Sequence, residues 1–182
     1  MKKTIALLTI PFVSWLVASG NAQDTKRADD MQNCPLLAQH TAGDSHHAAV
    51  EKHGEQAMGF PQDKTTHHFR MALDGGTIEV TANDPKDAAD SEAIRIHLSH
   101  IATVFAMGDF STPMFVHDSV PPGVTSMKLL KAVIRYRYEE VPAGGRVRIE
   151  SADPVAVAAV HDFLRFQMTE HQTGDSLEVV AH

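Results

Sequence analysis

The stretch Thr66 to Pro85 can be laid over Arg135 to Pro154 with a Gly-Gly pair and an Asp-Pro pair in register in both copies. An internal repeat of this kind limits the fold more than any other feature, because whatever one half forms the other must form too, and the two must share a core. In the first half, Thr66-His67-His68-Phe69-Arg70-Met71-Ala72-Leu73 alternates, Asp74-Gly75-Gly76 supplies turn residues, and Thr77-Ile78-Glu79-Val80-Thr81 alternates again. In the second half, Val133 to Glu139 and Arg146 to Glu150 flank Ala143-Gly144-Gly145. Period-two alternation around a Gly-containing turn predicts a β-hairpin in each.

A helical pattern follows each hairpin. The first runs from about Asp87 to Met107 and stops at Gly108, with Ile94, Leu98, Ile101 and Phe105 as its buried stripe. The second opens on Asp153 as N-cap with Pro154 in the first helical position, and runs to about His171. The connector between the halves contains Pro113, His117 and Pro121-Pro122-Gly123, which rules out a central strand and leaves room for a short helix from Thr125 to Lys131.

Together these elements predict an α+β fold: two ββα repeats forming a four-stranded antiparallel sheet, with two long helices packed on one face. Phe69, Met71, Ile78, Val80, Ile134, Tyr136, Tyr138, Val147 and Ile149 would point inward, and a charged set rich in arginine and glutamate would point outward. The edge strands of such a sheet invite pairing, so a homodimer is an open arrangement.

The N-terminus reads differently. Lys2 and Lys3 precede an apolar run from Ile5 to Val17, and Gly20-Asn21-Ala22 supplies small residues, which is the layout of a secretory signal peptide. The apolar run is shorter than the ~20 residues that span a bilayer. The expected organisation is a signal peptide over 1–22, a flexible polar leader over 23–62 with one short helix around Ala48 to Met58, and a single α+β domain over 63–182. The product would be periplasmic or secreted, with no membrane attachment once cleaved. Cys34 follows Gln32-Asn33, so it makes no lipobox, and a single cysteine makes no internal disulfide. The net charge of −7 becomes −9 when Lys2 and Lys3 leave, which argues against nucleic acid as a partner.

Histidine is the compositional anomaly, with 12 in the chain. His97 and His100 are three apart on the first helix and share a side of it. His67 falls on the core-facing side of the first strand, while His68 points to the opposite face. His117 lies in the proline-constrained connector. If these segments converge, His67, His97, His100 and His117 offer four neutral imidazole nitrogens suited to copper or zinc. Hydrogen-bonded histidines at the edge of a core explain the same spacing without a metal. His46, His47 and His53 read as part of a solvated leader. His161 reads as a core-edge histidine, and His171 as a cation near a helix C-terminus.

No Gly-x-Ser-x-Gly elbow, Cys-x-x-Cys pair, phosphate loop, dinucleotide fingerprint or Cys-x-x-Cys-His haem attachment occurs, so neither a nucleotide nor covalently attached haem is expected. The leading expectation is a periplasmic transition-metal (copper or zinc) binding protein. One alternative is a non-catalytic module that binds a small ligand or a partner, using the charged sheet face or a groove between the sheet and the Pro-rich connector. Another is a metal-dependent hydrolase with Asp109, Asp118 or Asp175 as base, so whether the chain is an enzyme stays open.

Three strings carry a resemblance: Met58-Gly59-Phe60 with Lys64-Thr65-Thr66-His67-His68-Phe69, then Ile94-Arg95-x-His97-Leu98-x-His100-Ile101, then His161-x-Phe163-Leu164-Arg165-Phe166-Gln167. Over Met58 to Asp175 the chain resembles an uncharacterised family of short exported bacterial proteins. Its members are sometimes labelled aspartate carbamoyltransferase, although the Ser-Thr-Arg-Thr-Arg phosphate loop of that enzyme is missing here. The resemblance implies no activity, cofactor or residue role.

Overall fold

Each alternating segment is a strand in the computed structural model, which describes residues 35–181. The first hairpin is β1 (Thr65–Ala72) and β2 (Gly75–Ala82), and the second is β3 (Ile134–Val141) and β4 (Gly144–Ser151). The turns are the two-residue links Leu73-Asp74 and Pro142-Ala143, so the paired glycines fall inside β2 and β4 and not in the turns.

Their position explains them. β2 and β4 pair antiparallel, joining the two hairpins, and Ile78 lies opposite Val147, its own counterpart in the repeat. A local two-fold axis therefore passes between these residues. On either side of it a Cβ on Gly75 would stand 2.1 Å from the Ile149 carbonyl oxygen, and one on Gly144 would stand 2.0 Å from the Val80 carbonyl oxygen. The glycines are there because the two backbones approach too closely for any side chain.

The sheet corrects the expectation of four antiparallel strands. It has five, in the order β3-β4-β2-β1-β5, and is mixed. The added strand β5 is only Val179–Val180, paired parallel to Met71 and Ala72. The chain returns to β1 because Asp175 clamps it there. Its carboxylate accepts from the Phe69 amide at 2.9 Å and from the Thr173 hydroxyl at 2.7 Å, and it lies 2.8 Å from His68 Nδ1.

The described helices are α1 (Pro35–Met58), α2 (Ala88–Ala106), α3 (Ser111–His117), α4 (Val124–Leu129) and α5 (Pro154–Glu170), with a 3-10 turn at Gln62–Lys64. Helix α4 overlaps the short helix expected from Thr125 to Lys131, α1 extends well beyond the one expected around Ala48 to Met58, and α3 is additional. Asp87 caps α2 through the Asp90 amide, and Asp153 caps α5 through the amides of Val155 and Ala156. Helix α3 forms despite Pro113 because that residue lies in the first turn, where no intrahelical N–H is required.

Helices α2 and α5 lie on one face of the sheet, α2 over β3 and β4 and α5 over β1 and β2. Leu164 of α5 rests on Gly76, and Leu98 of α2 rests on Gly145. Between the helices Phe105, Phe110 and Phe163 form an aromatic cluster, with Phe105 and Phe110 stacked at 4.3 Å.

The chain divides into two units at Thr41 and Ala42, and this architecture is that of Ala42–His182. Much of the segment expected as a polar leader is the helix α1, whose Val50 is buried and whose His53 meets Phe115 of α3 at 5.1 Å. Residues 1–22, expected as a signal peptide, and Cys34 lie outside the described residues. Among the described residues no helix is long and apolar enough to cross a membrane.

Gly144→Ala should cost more than about 2 kcal/mol, since overpacking here pushes against backbone. Gly59→Ala, where φ is +78° and nothing lies within 4 Å of the added methyl, should cost nearer 1 kcal/mol, from the left-handed conformation alone. Urea denaturation of both variants measures the difference, and equal costs would contradict the close-approach explanation.

Candidate ligand-binding site

Because α2 and α5 are splayed over separate hairpins, a groove remains between them, and α3 closes part of it. A cavity of about 70 Å³ lies there. Its floor is the sheet at His67, Phe69, Ile78 and Val80. Helix α2 contributes His97, Leu98, Ile101 and Phe105, α3 contributes Pro113, Val116 and His117, and α5 contributes Phe163, Gln167 and His171.

Four histidines thus border one largely apolar space. The His67 and His171 rings are parallel within 5° at 5.7 Å, and His117 meets His171 edge-on at 5.2 Å. The Phe60 ring stands between the other pair, 5.7 Å from His97 and 6.5 Å from His67. Of the four candidate ligands proposed from sequence, His67, His97 and His117 reach this cavity. His100 does not: it is exposed and lines a separate groove with Glu92, Arg95 and Tyr138. Residues three apart on a helix are about 60° apart around it, enough to put one on the buried margin and the other in solvent.

His171 was missed as a member of this group. Counted from the N-cap aspartates, His171 occupies the place in α5 that Phe105 occupies in α2, and Gln167 occupies that of Ile101. Aligning the two helices on their caps would have shown two polar residues at core positions.

Burial sets the charge of these rings. Desolvation, with the neighbouring histidines acting in the same direction, lowers His67 from 6.5 to about 4, His97 to about 4 and His171 to about 3. His67 and His171 keep part of an edge exposed, but the apolar side chains around them are what dominate. Desolvation also lowers His117, and the Gln167 hydrogen bond and the Glu170 carboxylate partly offset it. At neutral pH all four are uncharged imidazoles.

Their nitrogens are incompletely used. His117 Nε2 lies 3.1 Å from Gln167 Oε1, and its Nδ1 lies 3.7 Å from Glu170, beyond a hydrogen bond. Glu170 is itself 2.6 Å from His46 of α1. The buried atoms His67 Nε2, His117 Nδ1 and Gln167 Nε2 have no hydrogen-bond partner. Such atoms cost on the order of 1–3 kcal/mol each when left unmade, so three around one cavity mark a place where polar groups are held ready.

Other histidines are structural. His161 Nε2 lies 2.8 Å from the Ala72 carbonyl and 3.0 Å from that of Gly75, tying α5 to the end of the first hairpin. Asp109 accepts from the Ser111 amide and Asp175 holds the tail, so these two aspartates are committed to local structure. Asp118 ends α3 in a left-handed conformation.

Among the described residues no three His, Cys, Asp or Glu side chains stand in an arrangement that could hold a metal ion. Rotation of His67, His117 and His171 about their side-chain bonds would be needed to bring their nitrogens to one ion.

No protein-family profile matches the chain, and no solved structure does. Ribosomal oxygenase 1 from Rattus norvegicus is 30% identical over 115 residues, which is 62% of this chain and 17% of the oxygenase. The Homo sapiens and Bos taurus proteins of that name are also 30% identical over 115 residues, in each case 15% of their length. The chain therefore spans under a fifth of these relatives. Similarity to proteins named as oxygenases is compatible with a metal, and points to neither copper nor zinc.

The buried histidines make stability depend on pH. A histidine at about 4 when folded and near 6.5 when unfolded binds its proton first in the unfolded chain, so stability is complete above 6.5 and falls as the pH drops toward 4. Asp175, whose carboxyl the Phe69 amide, Thr173 and His68 hold below 3.8 against its own burial, contributes a loss only at still lower pH. Urea denaturation at about pH 7.5 and pH 5 should show a loss of roughly 2 kcal/mol for each histidine of this kind, with one such share removed in His67→Phe. Equal stability at the two pH values would contradict the neutral cluster.

Proposed function

We propose that this chain is a small-ligand-binding protein whose site is the cavity between the sheet and the Pro-containing connector, walled by His67, His97, His117 and His171. The observation that carries the reading is the set of unpartnered buried polar atoms, His67 Nε2, His117 Nδ1 and Gln167 Nε2, around an otherwise apolar space. Binding sites combine apolar walls for affinity with a few placed polar groups for orientation. Neutral imidazoles suit that purpose, since each offers one donor and one acceptor without the cost of a buried charge.

The charged sheet face is a weaker candidate because most of its arginines are engaged. Arg146 pairs with Glu79 across the β2–β4 junction, Arg148 with Glu150 at 2.6 Å and Asp74 at 3.1 Å, and Arg137 with Glu139 at 3.2 Å. Arg146–Glu79 and Arg148–Asp74 tie the second hairpin to the first, while Arg148–Glu150 and Arg137–Glu139 join neighbours along one strand.

Metal binding is the second reading, favoured by the neutral state of the rings and by the partial similarity to proteins named as oxygenases. His67, His117 and His171 would hold the ion, with copper and zinc as the metals suited to imidazole. Export to the periplasm, with cleavage after Ala22, belongs to the same proposal, and mass spectrometry of the exported protein should then give Gln23 as the first residue.

The two readings separate in one set of titrations. With n-butanol as a small probe, the ring signals of His67, His117 and His171 should shift in NMR spectra, and Gln167→Leu should weaken binding roughly fivefold or more. His100→Ala should leave it unchanged. Chelator-stripped protein titrated with zinc or cupric ions should show only weak binding. Stoichiometric, tight metal binding lost in His67→Ala/His171→Ala would replace the first reading with the second.

A further inference from the structure

The histidine wall of the cavity also borders a second space. His67 and His171 also line a polar vestibule of about 230 Å³, whose other sides include His47 and Glu51 of α1, Asp63, and the hydroxyl residues Thr65 and Thr173. Among the described residues no lysine or arginine lines it. Lys64 borders a neighbouring groove with Asp84, Asp87 and Asp90, which Asp63 shares. Glu51 is therefore the carboxylate that the vestibule keeps to itself, with His47 Nε2 at 3.4 Å.

We infer that the ligand is a small organic cation with a short alkyl end, an alkylammonium, its charged head in the vestibule beside Glu51 and its chain in the apolar cavity. This rests on the reading of the cavity as a ligand site. An ammonium group carries only donors, and the vestibule offers carboxylate and hydroxyl oxygens to accept from it. A carboxylate head would instead meet Glu51 and Asp63 with no cation to offset them. The inner cavity, at about 70 Å³, is well below the roughly 150 Å³ that accepts benzene. Its occupant is a chain of about four carbons and not a ring.

The test titrates n-butylammonium, n-butanol and butyrate into the full protein at about pH 8, following the ring signals of His67 and His171, in the wild type and in Glu51→Gln. The Glu51 side chain is 55% exposed, so the amide isostere leaves packing intact. Butylammonium should bind at least about tenfold more tightly than butyrate, the ratio should fall toward one in Glu51→Gln, and butanol should bind both proteins alike. Butyrate binding as well as butylammonium, or a cation preference that survives Glu51→Gln, overturns the inference while leaving the cavity reading in place. Failure of all three probes to move the ring signals overturns both.

Discussion

The antiparallel contact of β2 with β4 is the constraint on which the rest of the molecule depends. Two hairpins could meet edge to edge in several registers, and the glycines select one. Gly75 and Gly144 admit the carbonyls of Ile149 and Val80 at distances that exclude a Cβ, and they do so on both sides of the Ile78–Val147 pair. A shift by one residue would turn every inward side chain outward. The same junction carries Gly76 and Gly145, on which Leu164 and Leu98 rest, so the sheet register also fixes where the helices sit.

From that placement follows the groove. Two helices related by the local two-fold axis each cover their own hairpin, and neither covers the space above the axis fully. The connector fills part of it with α3, and Phe105, Phe110 and Phe163 fill more. What remains is bounded unequally: α2 presents Ile101 and Phe105, while α5 presents Gln167 and His171 at the corresponding positions. The repeat supplies a nearly symmetric scaffold, and the departure from symmetry gives the cavity its polar wall.

The hairpins and both long helices were legible because each depends on local pattern: strict alternation in Phe69–Met71 and Val147–Ile149, the i, i+3, i+4 stripe of Ile94, Leu98 and Ile101, and the capping aspartates Asp87 and Asp153. The fifth strand was not, because two valines carry no period and their pairing is decided by Asp175 reaching back to Phe69. Most of helix α1 has the sequence of a loose leader, because it has no continuous apolar stripe. Its fixed points are tertiary, namely buried Val50, His46 against Glu170 and His53 against Phe115. In the site, His67, His97 and His117 could be nominated from position alone. His171 was hidden by its place at the end of a helix, where a cation near the terminal carbonyls is the ordinary explanation.

That ordinary explanation fails on physical grounds. A histidine that answered the helix terminus would be favoured in its charged form, whereas burial among Phe69, His67 and His117 drives His171 down to about 3. Stability alone would favour a residue like Phe105 there, just as it would favour Ile at Gln167, since apolar side chains of similar size fill such positions without unmet hydrogen bonds. At Gln167 the other half shows the alternative, since Ile101 fills the corresponding position with no polar atom to satisfy, whereas Gln167 Nε2 is buried and unpaired. Local departures of this kind from the rules that the rest of the chain obeys are where function is to be sought. In this molecule His67, His117, Gln167 and His171 bring such departures together at one cavity.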